Sequence, residues 1–131
     1  MASFWETLQV DNQEMSVYSS VPAGSGPFPT VLIAHPASGV GEFTQSIADR
    51  LAEDGFAGIA MDLFHRVTDD MIADGTAKNA FLDDIEIMSD VNTTVDWLIS
   101  HPAIDSDRIG VTGFCMGGRV AWLAAANNPN F

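Results

Sequence analysis

The chain has 131 residues, 47% of them hydrophobic, and a net charge of −13 from five basic and eighteen acidic side chains. One domain with a substantial core fits that length and composition. That charge argues against nucleic acid and anionic membrane as partners, because no Lys/Arg cluster exists to neutralise phosphates.

The N-terminal stretch MASFWETLQVDNQ lacks the basic start and long apolar centre of a secretory signal. No apolar run approaches the roughly 20 residues of a bilayer span. A single cysteine permits no internal disulfide and suits a reducing compartment. The sequence therefore predicts a cytoplasmic chain.

In chain order, Glu6–Val10 and Met15–Val21 read as two short strands separated by the turn-like DNQE. Pro22–Pro29 is a loop, since its prolines and glycines oppose regular structure. Thr30–His35 is an unbroken apolar run of the kind buried on both faces of a sheet. Phe43, Ile47 and Leu51 recur every four residues on an amphipathic helix that ends near Gly55. Phe56–Phe64 is a second buried strand. Met88, Val91, Val95 and Leu98 mark a long helix stopped by Pro102. Asp105–Arg108 makes a turn, Ile109–Phe114 is a third buried strand, and GGRVAWLAAANN begins the last helix. Strand and helix alternate as in an α/β/α three-layer sandwich with a mostly parallel sheet, preceded by an antiparallel hairpin.

Gly113-Phe114-Cys115-Met116-Gly117 lies between the third strand and the last helix, in the pattern G-x-C-x-G. So tight a reversal forces the central residue into a strained backbone, and the glycines Gly113, Gly117 and Gly118 leave room for it. The Cys115 side chain then projects above the sheet, where the helix N-terminus favours thiolate. The Met116 N–H points into the same space. A second donor would come from the loop after Thr30–His35, near Ala37, because Pro36 has no N–H. Two other readings stand beside the nucleophile: a small structural cysteine, and a phosphate cradle. The run lacks both the G-x-G-x-x-G spacing and the Lys-Ser/Thr pair that a phosphate site needs.

RIGVTGFCMGGRVAWLAA, with VLIAHPASGV, ADRLAEDGFAGIAMDLF and DVNTTVDWLISHPAIDSDRIG upstream, resembles the dienelactone hydrolase family of α/β-hydrolases over nearly the whole chain. The resemblance implies an ester or lactone hydrolase that needs no cofactor or metal. It implies Cys115 as nucleophile, with the N–H groups of Met116 and Ala37 as the oxyanion hole. Two departures are visible. Pro36 stands where type members carry a nucleophile-activating glutamate. The region Asp74–Phe81 lacks their substrate-binding arginine, and Lys78 is its only cation.

In α/β-hydrolases the acid and the histidine follow the nucleophile. After Cys115 this sequence has only MGGRVAWLAAANNPNF, without Asp, Glu or His. Residues 1–131 thus read as the N-terminal portion of one hydrolase domain lacking its C-terminal strands. The remaining histidines precede the nucleophile. His35 ends a strand nearest the oxyanion loop; it reads first as an exposed or capping residue, with a cleft residue able to act as base as the alternative. His65, after a strand end, is the other candidate cleft residue, against the commoner reading of a histidine with no catalytic part. His101, beside Pro102, fits as a charge partner for a helix C-terminus. Asp62 reads as a hydrogen-bonder of the strand-to-loop turn. Thr68–Asp84 is acidic without calcium-loop spacing, and reads as a solvated segment covering the cleft.

The Ile109–Phe114 strand would leave an open sheet edge, so the sequence predicts a homo-oligomer formed through it. The alternative to an ester hydrolase is an inert α/β module that uses this edge to bind a partner.

Overall fold

The computed structural model describes all 131 residues. Strand β1 (Ala2–Val10) folds back on β2 (Gln13–Val21) in register from Ala2↔Val21 to Val10↔Gln13. The connection is only Asp11-Asn12, at φ 52° and 64°. A two-residue hairpin needs two left-handed residues to match strand twist, and Asn and Asp tolerate that conformation best after glycine. The hairpin starts earlier than the sequence pattern indicates.

Next come β3 (Phe28–Ala34), helix α1 (Glu42–Glu53), β4 (Ala57–Met61), helix α2 (Asp84–Ser100), β5 (Ile104–Gly113) and helix α3 (Met116–Asn127). Two 3-10 turns, Asp70–Ile72 and Lys78–Phe81, punctuate the loop before α2. The sheet order is β1-β2-β4-β3-β5. β4-β3-β5 is the parallel part, and the hairpin extends it through antiparallel pairing of β2 with β4. The sheet is therefore mixed.

Alternate residues of each central strand serve opposite faces, as the two-residue period requires. Leu32, Ile59 and Met61 join the larger core with Ile87, Val91, Val95 and Leu98 of α2 and Val120 and Ala124 of α3. Ile33 and Ala60 pack on the other face with Ala48 of α1. Helices thus cover both faces of the sheet.

The contact of α1 differs from the expected stripe. Its buried residues are Thr44, Ala48 and Ala52, while Ile47 and Leu51 flank them and Phe43 is exposed. The reason is close approach. A Cβ at Gly58 of β4 would lie 2.6 Å from the Ala48 carbonyl oxygen and 2.7 Å from its Cα. Small residues on both sides let helix and strand backbones touch, leaving the bulky ones at the margins. Gly55, at φ 94°, ends α1 with Gly55 N–H donating to Ala52 and Phe56 N–H to Leu51, closing the last turn.

In α2 the expected Val91, Val95 and Leu98 are buried, but so are Asp90 and Thr94. The N-cap Asp83 accepts from Ile85 N–H at 3.1 Å. β5 is a half-buried edge strand rather than a third fully buried one, because it pairs only with β3. The turn expected at Asp105–Arg108 is an excursion inside β5. Pairing jumps from Phe28↔Ile104 to Thr30↔Ile109, and Asp105 accepts from Asp107 N–H and Arg108 Nε.

Candidate active site

β3, β4 and β5 run parallel, so their C-terminal ends open on one side of the sheet, the usual place for chemistry in such folds. Cys115 sits there between β5 and α3, exposed, at φ 57° and ψ −119°. For a side chain larger than glycine that conformation costs on the order of 1–3 kcal/mol, a cost the surroundings must sustain. The exposure removes the small buried cysteine as a reading.

The surroundings are the backbone itself. Phe114 N–H donates to Ala34 O at 3.3 Å, tying the start of the turn to the end of β3. Gly117 N–H returns to Phe114 O, and Gly118 N–H to Cys115 O, both at 2.9 Å. A Cβ on Gly113 would strike the Gly117 carbonyl, and one on Gly117 would strike Ala34 O and lie 2.7 Å from His35 O. Gly118 is different from these two, since its Cβ would meet nothing nearer than 3.8 Å.

Seating α3 on β3 this way brings Met116 beside the strand end that leads into Pro36 and Ala37. Neither the Met116 nor the Ala37 N–H donates to any protein acceptor. The first N–H groups of a helix lack intrahelical partners and carry its partial positive charge. The turn therefore combines an exposed thiol with unengaged donors. Phe43, expected in the core, instead meets Phe114 edge-on at 5.1 Å and gives this corner an apolar flank.

The histidines divide sharply. His35 is wholly buried, correcting its reading as an exposed or capping residue. Its Nε2 accepts from Leu63 N–H at 3.0 Å, so Nδ1 carries the proton and donates to Pro36 O at 2.7 Å. Burial holds its pKa below the ordinary imidazole value, against smaller opposing effects of the Pro36 carbonyl and Asp62. His35 is a neutral strut between the ends of β3 and β4, with no nitrogen free for a reactant.

His101 caps α2, but its Nδ1 accepts from Ala103 N–H at 3.2 Å and its ring meets Trp97 edge-on. It therefore steadies the turn into β5 rather than facing the helix end as a cation. Asp62 accepts from Phe64 N–H at 2.9 Å, the turn bond expected of it.

His65 lines a cleft of about 540 Å³ with the loop Ala37–Gly41, Asp62 and Lys78. Its Nε2 lies 2.9 Å from Asp90 Oδ1, and Asp90 is clamped by Arg66 at 2.9 and 3.1 Å. Arg66 also reaches Asp11 in the hairpin turn and Glu86 in α2. Sequence reasoning missed Asp90 and Arg66. The available signal was an aspartate one position before Val91, on a helix face otherwise given to the core. A larger groove, about 730 Å³, lies at the opposite strand ends near Thr30 and Ile109 and away from the cysteine turn. The residues hold no cluster of three His, Cys, Asp or Glu side chains able to bind a metal ion. No helix is long and apolar enough to cross a membrane.

The profile of the dienelactone hydrolase family matches residues 15–131. The chain belongs to the dienelactone hydrolase family. Family relatives include a Methylorubrum extorquens protein named "Putative carboxymethylenebutenolidase", 35% identical over 120 residues, covering 86% of this chain and 40% of the relative. An Escherichia coli protein of the same name is 35% identical over 127 residues, covering 92% of this chain and 46% of its own length. Among solved structures, a Klebsiella pneumoniae protein titled a "Putative Dienelactone Hydrolase" superposes with a TM-score of 0.85 at 27% identity. That match covers 98% of this chain and 56% of the other. The chain spans about half the length of these dienelactone hydrolase relatives.

Proposed function

We propose that this chain carries the acylating half of a carboxylic ester or lactone hydrolase, with Cys115 as nucleophile. The observation that carries the reading is the exposed Cys115 at positive φ on the N-terminus of α3, in a turn tied by Phe114 N–H to the Ala34 end of β3, the strand that leads to Ala37. The Cys115 thiolate attacks the carbonyl carbon of a small ester or lactone. The Met116 and Ala37 N–H groups take the negative charge that develops on the carbonyl oxygen. Collapse expels the alkoxide, which takes up a proton, and leaves a thioester on Sγ. Water then cleaves the thioester with the help of a base. Residues 116–131 contain no Asp, Glu or His, so that base is a group outside them. The relatives' names point to the same bond class.

The test is acylation. With p-nitrophenyl acetate, the expected result is one equivalent of released p-nitrophenolate and one acetyl group on Cys115 in the intact mass, both absent from Cys115→Ala. A Cys115 that stays unacetylated, and resists iodoacetamide until the protein unfolds, would sink the reading.

The outer edge of β5, Ile109–Phe114, carries unpaired backbone groups, because β3 is that strand's only partner. This supports the reading of a homo-oligomer formed through that edge, in a reducing cytoplasm that keeps Cys115 as a thiol. Light scattering should find more than one chain per particle; a monodisperse monomer refutes the assembly and leaves the chemistry standing.

A further inference from the structure

Two donors converge on the Pro36 carbonyl oxygen. His35 Nδ1 lies 2.7 Å from it, and Gly39 N–H closes a turn onto it at 3.0 Å. The donor role of Nδ1 is fixed, because both partners of the ring are main-chain groups of known polarity. Leu63 N–H can only donate, so Nε2 is the acceptor; Pro36 O can only accept, so Nδ1 holds the proton.

The ring itself is held on every side. His35 is wholly buried, bonded through Leu63 to the segment after β4, and packed edge-on against Phe64 at 4.7 Å. Gly39 ties the Pro36 oxygen only to its own loop, whereas His35 ties it to the ends of β3 and β4. A donor fixed this firmly sets the plane of the peptide it touches. The Pro36–Ala37 peptide is trans, and in a planar trans peptide the C=O and the N–H point in opposite directions. Pinning Pro36 O toward the buried imidazole therefore turns the Ala37 N–H away from the ring. Ala37 is exposed and lines the cleft with Ser38 and Gly39.

We propose that His35 is a positioning residue for the acylation step, which holds the Pro36 carbonyl and so aims the Ala37 N–H at the oxygen that gains charge on the ester carbonyl. This rests on the reading of Ala37 as an oxyanion donor and names the residue that sets the direction of that donor. The imidazole touches no reacting atom. It acts through one peptide, which passes on polarisation as well as direction, because hydrogen bonds in a chain strengthen one another.

Two variants separate the two bonds of the ring. The amide of Asn overlays Nδ1, so His35→Asn keeps a donor for Pro36 O and loses the acceptor for Leu63 N–H. The longer Gln overlays Nε2, so His35→Gln keeps the acceptor and loses the donor. The quantity is the rate of Cys115 acetylation by p-nitrophenyl acetate divided by its rate of alkylation by iodoacetamide. Alkylation displaces iodide from a saturated carbon and builds no oxyanion, so changes in thiol ionisation or exposure cancel in the ratio. The expected ratio is about tenfold lower in His35→Gln, short of the hundredfold or more that outright removal of an oxyanion donor costs, and largely restored in His35→Asn. A purely structural His35 would change both rates together and leave the ratio unmoved, which overturns the proposal. A wild-type Cys115 that takes no acetyl group overturns the esterase reading and this proposal with it, a failure told apart because no variant enters it.

A second measurement uses the wild type alone. Acetaldehyde adds to the Cys115 thiol, forming the Sγ–C bond and passing the thiol proton to the carbonyl oxygen, which then lies where the oxyanion would. The His35 Nδ1 proton resonance should move downfield as the Ala37 N–H engages that oxygen. A resonance that stays put while the Cys115 Cβ signal reports the adduct refutes the positioning role.

Discussion

Gly117→Ala is expected to cost at least about 3 kcal/mol of stability, and Gly118→Ala, one residue along the same helix, nothing. A methyl on Gly117 would occupy the space of Ala34 O and crowd His35 O at 2.7 Å. Both obstacles are main-chain atoms of the central strand, which cannot rotate aside as a side chain would. Overpacking of cores typically costs 1–3 kcal/mol when side chains can adjust. Here α3 must lift off β3 instead, placing the substitution among the severe mechanisms. At Gly118 the added methyl meets only Gly113 O at 3.8 Å, an ordinary contact. That change trades glycine for the best helix former and should gain up to about 1 kcal/mol. Thermal melts of the two variants beside the wild type check the pair. The Gly117→Ala midpoint should fall by roughly 10 °C while Gly118→Ala holds or rises. Equal midpoints would mean that α3 does not sit this close to β3. The same lift would move the Met116 N–H away from the Ala37 loop, so acylation of Cys115 should fall with stability.

Asp90→Ala should be the second large loss, about 3 kcal/mol. Removing one partner of a buried ion pair typically costs 3–5 kcal/mol because the other charge is stranded. The lower end applies here, since Arg66 is 15% exposed and keeps Glu86 and Asp11. Asp90 fastens more than one charge. Through Arg66 it joins α2 to Asp11 of the β1–β2 turn, which also accepts from Ser89 of α2 at 2.9 Å. Through His65 it holds a buried ring at the end of the β4 loop, next to the cleft that residue lines. Urea unfolding of Asp90→Ala should show a lower midpoint at unchanged slope. A loss under about 1 kcal/mol would place this network among solvated surface pairs.

These two positions also show where local pattern stops being informative. The cysteine turn was legible because its requirements are local: a strand, two small residues and a helix start, all within Ile109–Gly117. Which glycines are indispensable was not, since Gly113 meets Gly117 and Gly117 meets a strand about eighty residues earlier in the chain. Gly118 looks the same in sequence, and a Cβ there would make only an ordinary contact with Gly113 O at 3.8 Å. Likewise His35 and His65 both end apolar runs. One is spent between Leu63 and Pro36, while the other bonds Asp90 of α2 and keeps a buried nitrogen without a protein partner.

By itself the sequence determined the succession of strands and helices, the hairpin at the start, the sharp turn at Cys115 and the family. Each of these follows from periodicity, turn chemistry or a contiguous motif, which neighbouring residues settle among themselves. Only the tertiary structure decided the order β1-β2-β4-β3-β5, the half-buried edge position of β5, and the use of Thr44, Ala48 and Ala52 rather than the bulkier stripe against the sheet. It also decided that Asp90 is buried with Arg66 and His65. Strand neighbours, backbone clearance and the partner of a buried charge are all set by residues distant in sequence, and no local window contains both members of the pair.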